Sequence, residues 1–331
     1  MRGLSQRRNF SSHFASKASE IYFGQDAVLT IGGWIMQSSL TLSIGLPVAL
    51  VIIMLGLGLS LRVGDFTRVL SRPWPIVVGL ACQVVILPAL CFGLVYLADL
   101  PPAISVGMML LAASPGGTSA AIYTHLGRGD LALSLMLAAI TSVIALFSLP
   151  IIVNLSVMAF YGEASQVRLE IHQVLQIFVV AIVPALIGVF INSRYPGIAR
   201  FLDRPVKILA TVFLIAVVLA ALIGQWRLLI IWGPSVGVLA LVFSMASLSV
   251  GYCVPRVFRI ERRQAVALAM SIGIHNAALV IALAMSEHML DNPEMAIPPA
   301  AYGVIAYIVG GAFVLALNRR SPAGLGSGWP S

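Results

Sequence analysis

A chain of 331 residues with 60% hydrophobic residues, only 10% charged ones and a mean hydropathy of +1.00 is excluded from the ordinary soluble globular class. The net charge of +8 does not mark a nucleic-acid binder, because the arginines sit in short loops between apolar runs rather than on one basic face. Cys82, Cys91 and Cys253 lie in apolar runs without CxxC or Cys/His spacing, which points away from a disulfide framework and from a metal site.

In chain order, Met1 to Gln25 carries Arg2, Arg7, Arg8 and Lys17 with Glu20 as its one acid, and reads as a mobile polar tail. It lacks the apolar core that a signal peptide needs. From Ala27 to Leu61 no charged residue occurs, which is too long for one ordinary span of about 20 residues. Its second half, Ser43 to Leu61, is the first predicted span. Ala27 to Leu42, polar around Gln37-Ser38-Ser39, is either part of the tail or a further membrane helix. The next spans are Pro73 to Ala98, Ala103 to His125, Leu131 to Met158, Gln173 to Asn192 and Ile208 to Gly224. Leu228 to Cys253, Gln264 to Ser286 and Pro299 to Asn318 complete an expected all-α membrane protein of about nine helices. None of these spans contains Asp, Glu, Lys or Arg. Small residues such as Gly56 with Gly58 and Gly310 with Gly311 are expected to allow close helix packing.

Two spans are interrupted. In the third, Ser114-Pro115-Gly116-Gly117-Thr118 falls mid-run, where proline and two glycines stop a helix and free backbone groups near the membrane midplane. In the eighth, Gly273-Ile274-His275-Asn276 does the same. Paired breaks of this kind point to a transporter's binding site, since half-helix ends and freed carbonyls hold an anion and its coupling cation.

The loops alternate in basic charge. Those after spans one, three, five and seven, with the C-terminal tail, hold 14 Lys and Arg, whereas the four intervening loops hold only Arg168 and Arg227. The positive-inside rule puts the richer set, including Arg194, Arg200, Arg204 and the Arg256 to Arg263 cluster, in the cytoplasm together with the C-terminus. The basic N-terminal tail then falls on the wrong side. Either it is translocated, or Ala27 to Leu42 forms a tenth helix, or translation begins later, for which Met36 is a candidate start. Spans three and eight are five apart and cross in opposite directions, as an inverted five-helix repeat lacking its first helix would require, although unrelated kinks are the simpler alternative.

Several blocks resemble the bile acid:sodium symporter family. They are Met54-Leu55-Gly56-Leu57-Gly58-Leu59-Ser60-Leu61, Gln83 followed by Leu87-Pro88, Pro115-Gly116-Gly117-Thr118, Gly129-Asp130-Leu131-Ala132-Leu133-Ser134 and Gly273-Ile274-His275-Asn276. The resemblance implies a core domain and a panel domain, two broken helices crossing in the core, and a crevice between the domains for an amphipathic organic anion. It places sodium ligands at Gln83 and Ser134. Elsewhere the chain departs from the pattern: a Ser-Asn pair is Ala120-Ala121, a threonine is Ala138, the shared acidic ligand is Ser271, and a glutamine is His275. With no carboxylate at Ser271, coupling to two sodium ions is not expected; a single sodium, a proton on His275, or facilitated transport without a coupling ion are the alternatives.

Each polar residue also has a structural reading. Gln83 can bond a neighbouring helix, Thr118 and Ser134 their own backbone, and Asn276 the groups released at a break. His275, the one ionisable side chain near a span centre, can donate as a neutral ring to a crossing helix; His125 sits at a span end, in an interfacial position. The expected function is a secondary transporter of an organic anion working by alternating access in the cell membrane. It comprises an N-terminal tail (1–42), a transporter domain (43–318) and a C-terminal tail (319–331). A non-transporting sensor on the same fold and an arsenite-exporter-like carrier are the alternatives, though the first break lacks the cysteine such exporters share. One histidine and no carboxylate within the spans argue against an enzyme.

Overall fold

The computed structural model describes residues 73–117, 119–162, 171–202, 226–285 and 290–319, with short helical stretches between 48 and 59 and between 204 and 212. The N-terminal tail, Thr118, most of the expected spans at 43–61 and 208–224, Glu287 and the tail beyond Arg319 lie outside the described residues. Everything regular among the described residues is helical.

The first described span, Trp74–Ala98, is 25 residues long and is not one uniform helix. Helix α1 (Trp74–Ala81) passes through a π-helical turn, Cys82–Ile86, into α2 (Leu87–Ala98). Pro88 explains the turn: it has no N–H to give and its ring crowds the carbonyl four residues back, so the Leu87 amide reaches instead to the Cys82 carbonyl. This wider turn carries Gln83 into the protein interior.

The third expected span is two half-helices, α3 (Pro102–Ala113) and α4 (Ala120–Leu126). The eighth is likewise α8 (Arg262–Gly273) and α9 (Ala277–Met285). Between them lie α5 (Leu131–Tyr161), α6 (Ile171–Arg194) and α7 (Trp226–Val257). A 3-10 turn, Pro293–Ala296, leads into the last helix, α10 (Ile297–Arg319). At 1.5 Å per residue neither half-helix crosses a bilayer, but α3 with α4 and α8 with α9 each reach roughly 30 Å, the thickness of the hydrocarbon core. Among the described residues three continuous helices are long and apolar enough to cross: Trp74–Ala98, Ile230–Val257 and Pro293–Arg319. Helix α5 is a fourth, bent by 57° between Leu131–Ala145 and Phe147–Tyr161. Pro150 accounts for the bend, because its ring displaces the carbonyl of residue 146.

Helix α7 packs along α8 and α10, and α3 along α5 and α2. Every residue of α3 from Ala103 and of α8 from Ala265 is buried, so both half-helices that lead into the breaks are enclosed by protein. Large apolar side chains on the outside, among them Leu97, Phe147, Leu186, Ile230 and Leu315, form the surface a lipid phase would solvate. Gly58 and Gly188 behave as their composition predicts: a Cβ on either would run into backbone of the other's helix, so only glycine allows that approach. Gly310 and Gly311 instead make room for the side chains of Tyr123 and Ile274.

The ends of the elements meet in a way that tests the loop parity. The Asp130 amide donates to the Arg263 carbonyl at 3.0 Å, which brings the end of α4 against the start of α8. Asn318 Nδ2 donates to the Leu126 carbonyl at 3.1 Å, and Arg262 Nη2 to the Leu317 carbonyl at 2.9 Å, which adds the end of α10. Three of the five basic segments therefore share one face. On α3, Gly107 lies so close to the Met295 backbone that a Cβ would collide with it, and the Asn292 amide donates to Ala284 at the end of α9. The two broken helices accordingly run antiparallel.

Candidate functional site

The two breaks cross each other. Gly116 and His275 form an isolated antiparallel bridge. The Gly117 amide donates to the Ile274 carbonyl at 2.6 Å, and the Asn276 amide donates to the Pro115 carbonyl at 3.0 Å. Glycine is required on the α3–α4 side by proximity: a Cβ on Gly116 would lie 2.6 Å from the Ser271 carbonyl oxygen, and one on Gly117 would lie 2.9 Å from that of His275. Gly273 is equally closed in, by Leu248 of α7.

The backbone groups released by the breaks are expected from sequence to seek water, an ion or a ligand. Most find protein partners instead. Ser114 donates its amide to Leu111, and its carbonyl accepts from Gln83 Nε2 at 2.9 Å. The Gly117 carbonyl accepts from the Ala120 amide, and that of Asn276 from the Val280 amide. The Gly273 carbonyl accepts from the Tyr302 hydroxyl at 2.8 Å. Asn276 Oδ1 accepts the Leu279 amide at 3.1 Å and thereby caps α9, the role its side chain suggests at such a break. This pairing is what a buried backbone demands, and it turns the crossing into one continuous hydrogen-bonded unit.

His275 and Gln83 stand at the centre of what remains. His275 Nδ1 lies 3.5 Å from both Gln83 Nε2 and the Ser114 carbonyl oxygen. Its ring stacks on Phe243 at 5.6 Å with a 16° interplanar angle and meets the edge of Tyr302 at 5.5 Å. Because Gln83 Nε2 already donates to Ser114, its second proton faces Nδ1 when the ring carries its proton on Nε2. With the proton on Nδ1, the ring is aimed at the Ser114 carbonyl instead. Gln83 Oε1 and His275 Nε2 are buried without a hydrogen-bond partner. A cavity of about 10 Å³, room for roughly one water, is lined by Gln83, Ser114, Pro115 and Thr141.

Ser134 and Ser271 form a separate group on the Gly116 side. Ser134 Oγ accepts from Thr124 Oγ1 at 3.1 Å, and Ser271 Oγ donates to the Ser134 carbonyl at 3.4 Å. The crossing thus gathers Pro115, Gly116, Gly117, Gly273, Gln83, His275 and Asn276 directly, with Ser134 and Ser271 behind it. Every Asp and Glu among the described residues lies at a helix end or in a loop, so no carboxylate faces the crossing. Among the described residues Gln83 Oε1 is a buried side-chain oxygen without a hydrogen bond, and the Ser134 and Ser271 hydroxyls each make one within the protein.

Sequence reasoning did not anticipate the π turn that presents Gln83, the hydroxyl of Tyr302 or the face of Phe243. Pro88 was a readable signal for the first. The other two sit in helices far along the chain, and no local pattern assigns them to a break.

Comparison with known proteins gives this geometry a family. The model of the sodium bile acid symporter family matches residues 47–232, a stretch that includes Gln83, the first break and Ser134, while the second break lies beyond it. An uncharacterized sodium-dependent transporter of Bacillus subtilis, YocS, is 26% identical over 294 residues, 88% of each chain. The chloroplastic probable sodium/metabolite cotransporter BASS1 of Arabidopsis thaliana is 28% identical over 277 residues, 83% of this chain and 67% of that one. The human ileal sodium/bile acid cotransporter is 26% identical over 243 residues, 73% and 69% of the two chains. The chain belongs to the sodium bile acid symporter family and is a membrane transporter, not an enzyme.

Proposed function

We propose that the protein is a secondary transporter that moves a small organic anion by alternating access, with the crossing of the two breaks as its ion and substrate centre. The observation that carries this reading is the antiparallel crossing itself, with Gln83 Oε1 and His275 Nε2 left unpaired beside it. The relatives' names, which cite sodium with bile acid or metabolite, support an organic substrate. A bile-acid-like anion and a smaller carboxylate or sulfonate both fit this class. The opposed directions of the broken helices support nine spans in an inverted repeat with core and panel domains, and the shared face of three basic segments supports a cytoplasmic C-terminus in the cell membrane.

Two sodium ions with a monovalent anion need one carboxylate to leave the occupied core near neutral. Ser271 supplies none, and an uncompensated charge in a low-dielectric core is costly. At most one cation therefore accompanies the substrate. Sodium held through Gln83 is one candidate. A proton on His275 is the other: the doubly protonated ring would donate Nδ1–H toward Ser114, and the Gln83 amide would turn its free Oε1 toward the ring. The test begins with a thermal-shift screen of bile acids, short carboxylates and sulfonates on the purified protein, with and without sodium. The stabilising anion is then followed into proteoliposomes under separate sodium and proton gradients, for the native chain and His275→Gln. Uptake with no more than one cation is expected, and a measured stoichiometry of two sodium ions refutes the charge argument. Gly117→Leu and Asn276→Leu should abolish uptake while the protein still inserts; normal uptake by both removes the crossing from the site.

A further inference from the structure

We propose that the end of the core where α4, α8 and α10 meet contains a second site, which binds a phosphate-ester anion such as the headgroup of an anionic phospholipid. A cavity of about 520 Å³ lies there, lined by Arg128, Arg262, Arg263, His125, Asn318 and Val266. Its volume is within the range of small-molecule sites and well above what a bare inorganic phosphate fills. Three guanidinium groups from two elements line it, and no acidic side chain does. Of the acids next to it in sequence, Asp130 caps α5 by accepting the Leu133 amide on Oδ1, and Glu261 is the residue before α8.

The local fold explains how the arginines come to surround a space. Gly127 and Gly129 lie flat against α8, since a Cβ on either would crowd the Val266 side chain at 2.9 and 3.1 Å. Between them Arg128 adopts a left-handed backbone, φ 56°, and its exposed side chain lines the cavity. Arg262 Nη2 donates to the Leu317 carbonyl, and the Arg263 carbonyl accepts the Asp130 amide, so one side-chain and one backbone hydrogen bond tie the cavity walls together. Guanidinium groups match phosphate oxygens in pairs, and basic pockets between membrane helices suit anionic headgroups. The lipid source rests on the proposed orientation, which puts this end against the anionic cytoplasmic leaflet. The site itself does not depend on the transport reading.

The experiment uses the full-length protein in neutral detergent and reads its apparent melting temperature. Dioleoylphosphatidylglycerol, dioleoylphosphatidylcholine, sn-glycerol 3-phosphate and inorganic phosphate are titrated separately, with Arg128→Gln/Arg263→Gln as the pocket variant. Arg194→Gln/Arg200→Gln, which removes equal charge away from the pocket, is the control. Arg262 is left intact because it anchors Leu317. Phosphatidylglycerol should stabilise the native and control proteins, and the pocket variant should need roughly thirtyfold more lipid for the same shift, about fivefold per arginine. Arg128→Lys/Arg263→Lys should recover most of that loss, which separates lost charge from a damaged fold. A shift given by glycerol phosphate alone, and lost in the pocket variant, supports the site with a soluble source. Equal shifts with phosphatidylcholine, or equal losses in pocket and control variants, overturn the proposal. Because no transported substrate is used, failure here leaves the transport reading standing, and failure of uptake leaves this site standing.

Discussion

Gly116→Ala tests the crossing with a single methyl group. Its Cβ would sit 2.6 Å from the Ser271 carbonyl oxygen and 2.9 Å from Ser271 Oγ, and the first of these belongs to the backbone of a fully buried helix. No flexible side chain can yield, so the two loops must separate by about 1 Å to restore ordinary contact. The Gly117 to Ile274 and Asn276 to Pro115 bonds, now 2.6 and 3.0 Å, would then stretch past useful length. Each leaves a buried donor and acceptor unsatisfied at about 1–3 kcal/mol, so the loss is roughly 2–6 kcal/mol in all. Gly93→Ala is the matched control, because a Cβ there meets nothing within 4 Å in the middle of α2. It should be neutral or stabilise by about 0.5–1 kcal/mol. Thermal unfolding in detergent, read with uptake in proteoliposomes, measures both. If Gly116→Ala melts with the native protein and transports normally, the crossing is not held together as argued.

Tyr302→Phe removes the hydroxyl that satisfies the Gly273 carbonyl and keeps the ring against His275, so it should cost about 1–3 kcal/mol with little change in packing; an unchanged melting temperature would show that another group serves that carbonyl. Asn276→Ala should lose about 1 kcal/mol through the cap of α9 and Asn276→Ser should recover most of it, checked by the same melts. In Pro150→Ala the carbonyl at 146 regains its partner and the 57° bend should relax, measured as a changed distance between spin labels at Leu131 and Tyr161. Single cysteines at Arg259 and Asp291 should be labelled from opposite sides of sealed vesicles, and labelling of both from one side would break the topology.

How far the sequence shows this depends on the range of each interaction. The breaks are legible because Pro115, Gly116 and Gly117 act on their own backbone, and so does Asn276 as a cap. The opposed course of the two broken spans is legible because arginines are expelled to loops whatever the helices do inside. The pairing of freed backbone groups is not, since it depends on which helix is brought alongside: Tyr302 reaches Gly273 across 29 residues and Gln83 reaches Ser114 across 31. The expectation that a break frees backbone groups counts the groups released and cannot count the partners supplied by tertiary packing. The count of spans stops short for a different reason: the segments at 43–61 and 208–224 lie mostly outside the described residues.

The pairing of most of these backbone groups bears on how a transport cycle can run. If the carbonyls of the breaks were open, loading an ion would be able to pull the two half-helix pairs together and unloading to release them. Several are instead bonded to one another, to Gln83 and to Tyr302. Separating them would strand several buried donors and acceptors at once, each at a cost of about 1–3 kcal/mol. The crossing therefore fits a unit that moves whole, with loading sensed by the groups that can change partners inside it. Under the proposed function Gln83 and His275 would be those groups, because each keeps one polar atom unpaired and the two face each other at 3.5 Å. A change of proton or ion at this pair would then reorient an amide without opening the backbone bridge. On this reading alternating access is a displacement of the core as a body against its surroundings, gated by side chains rather than by unwinding of the breaks.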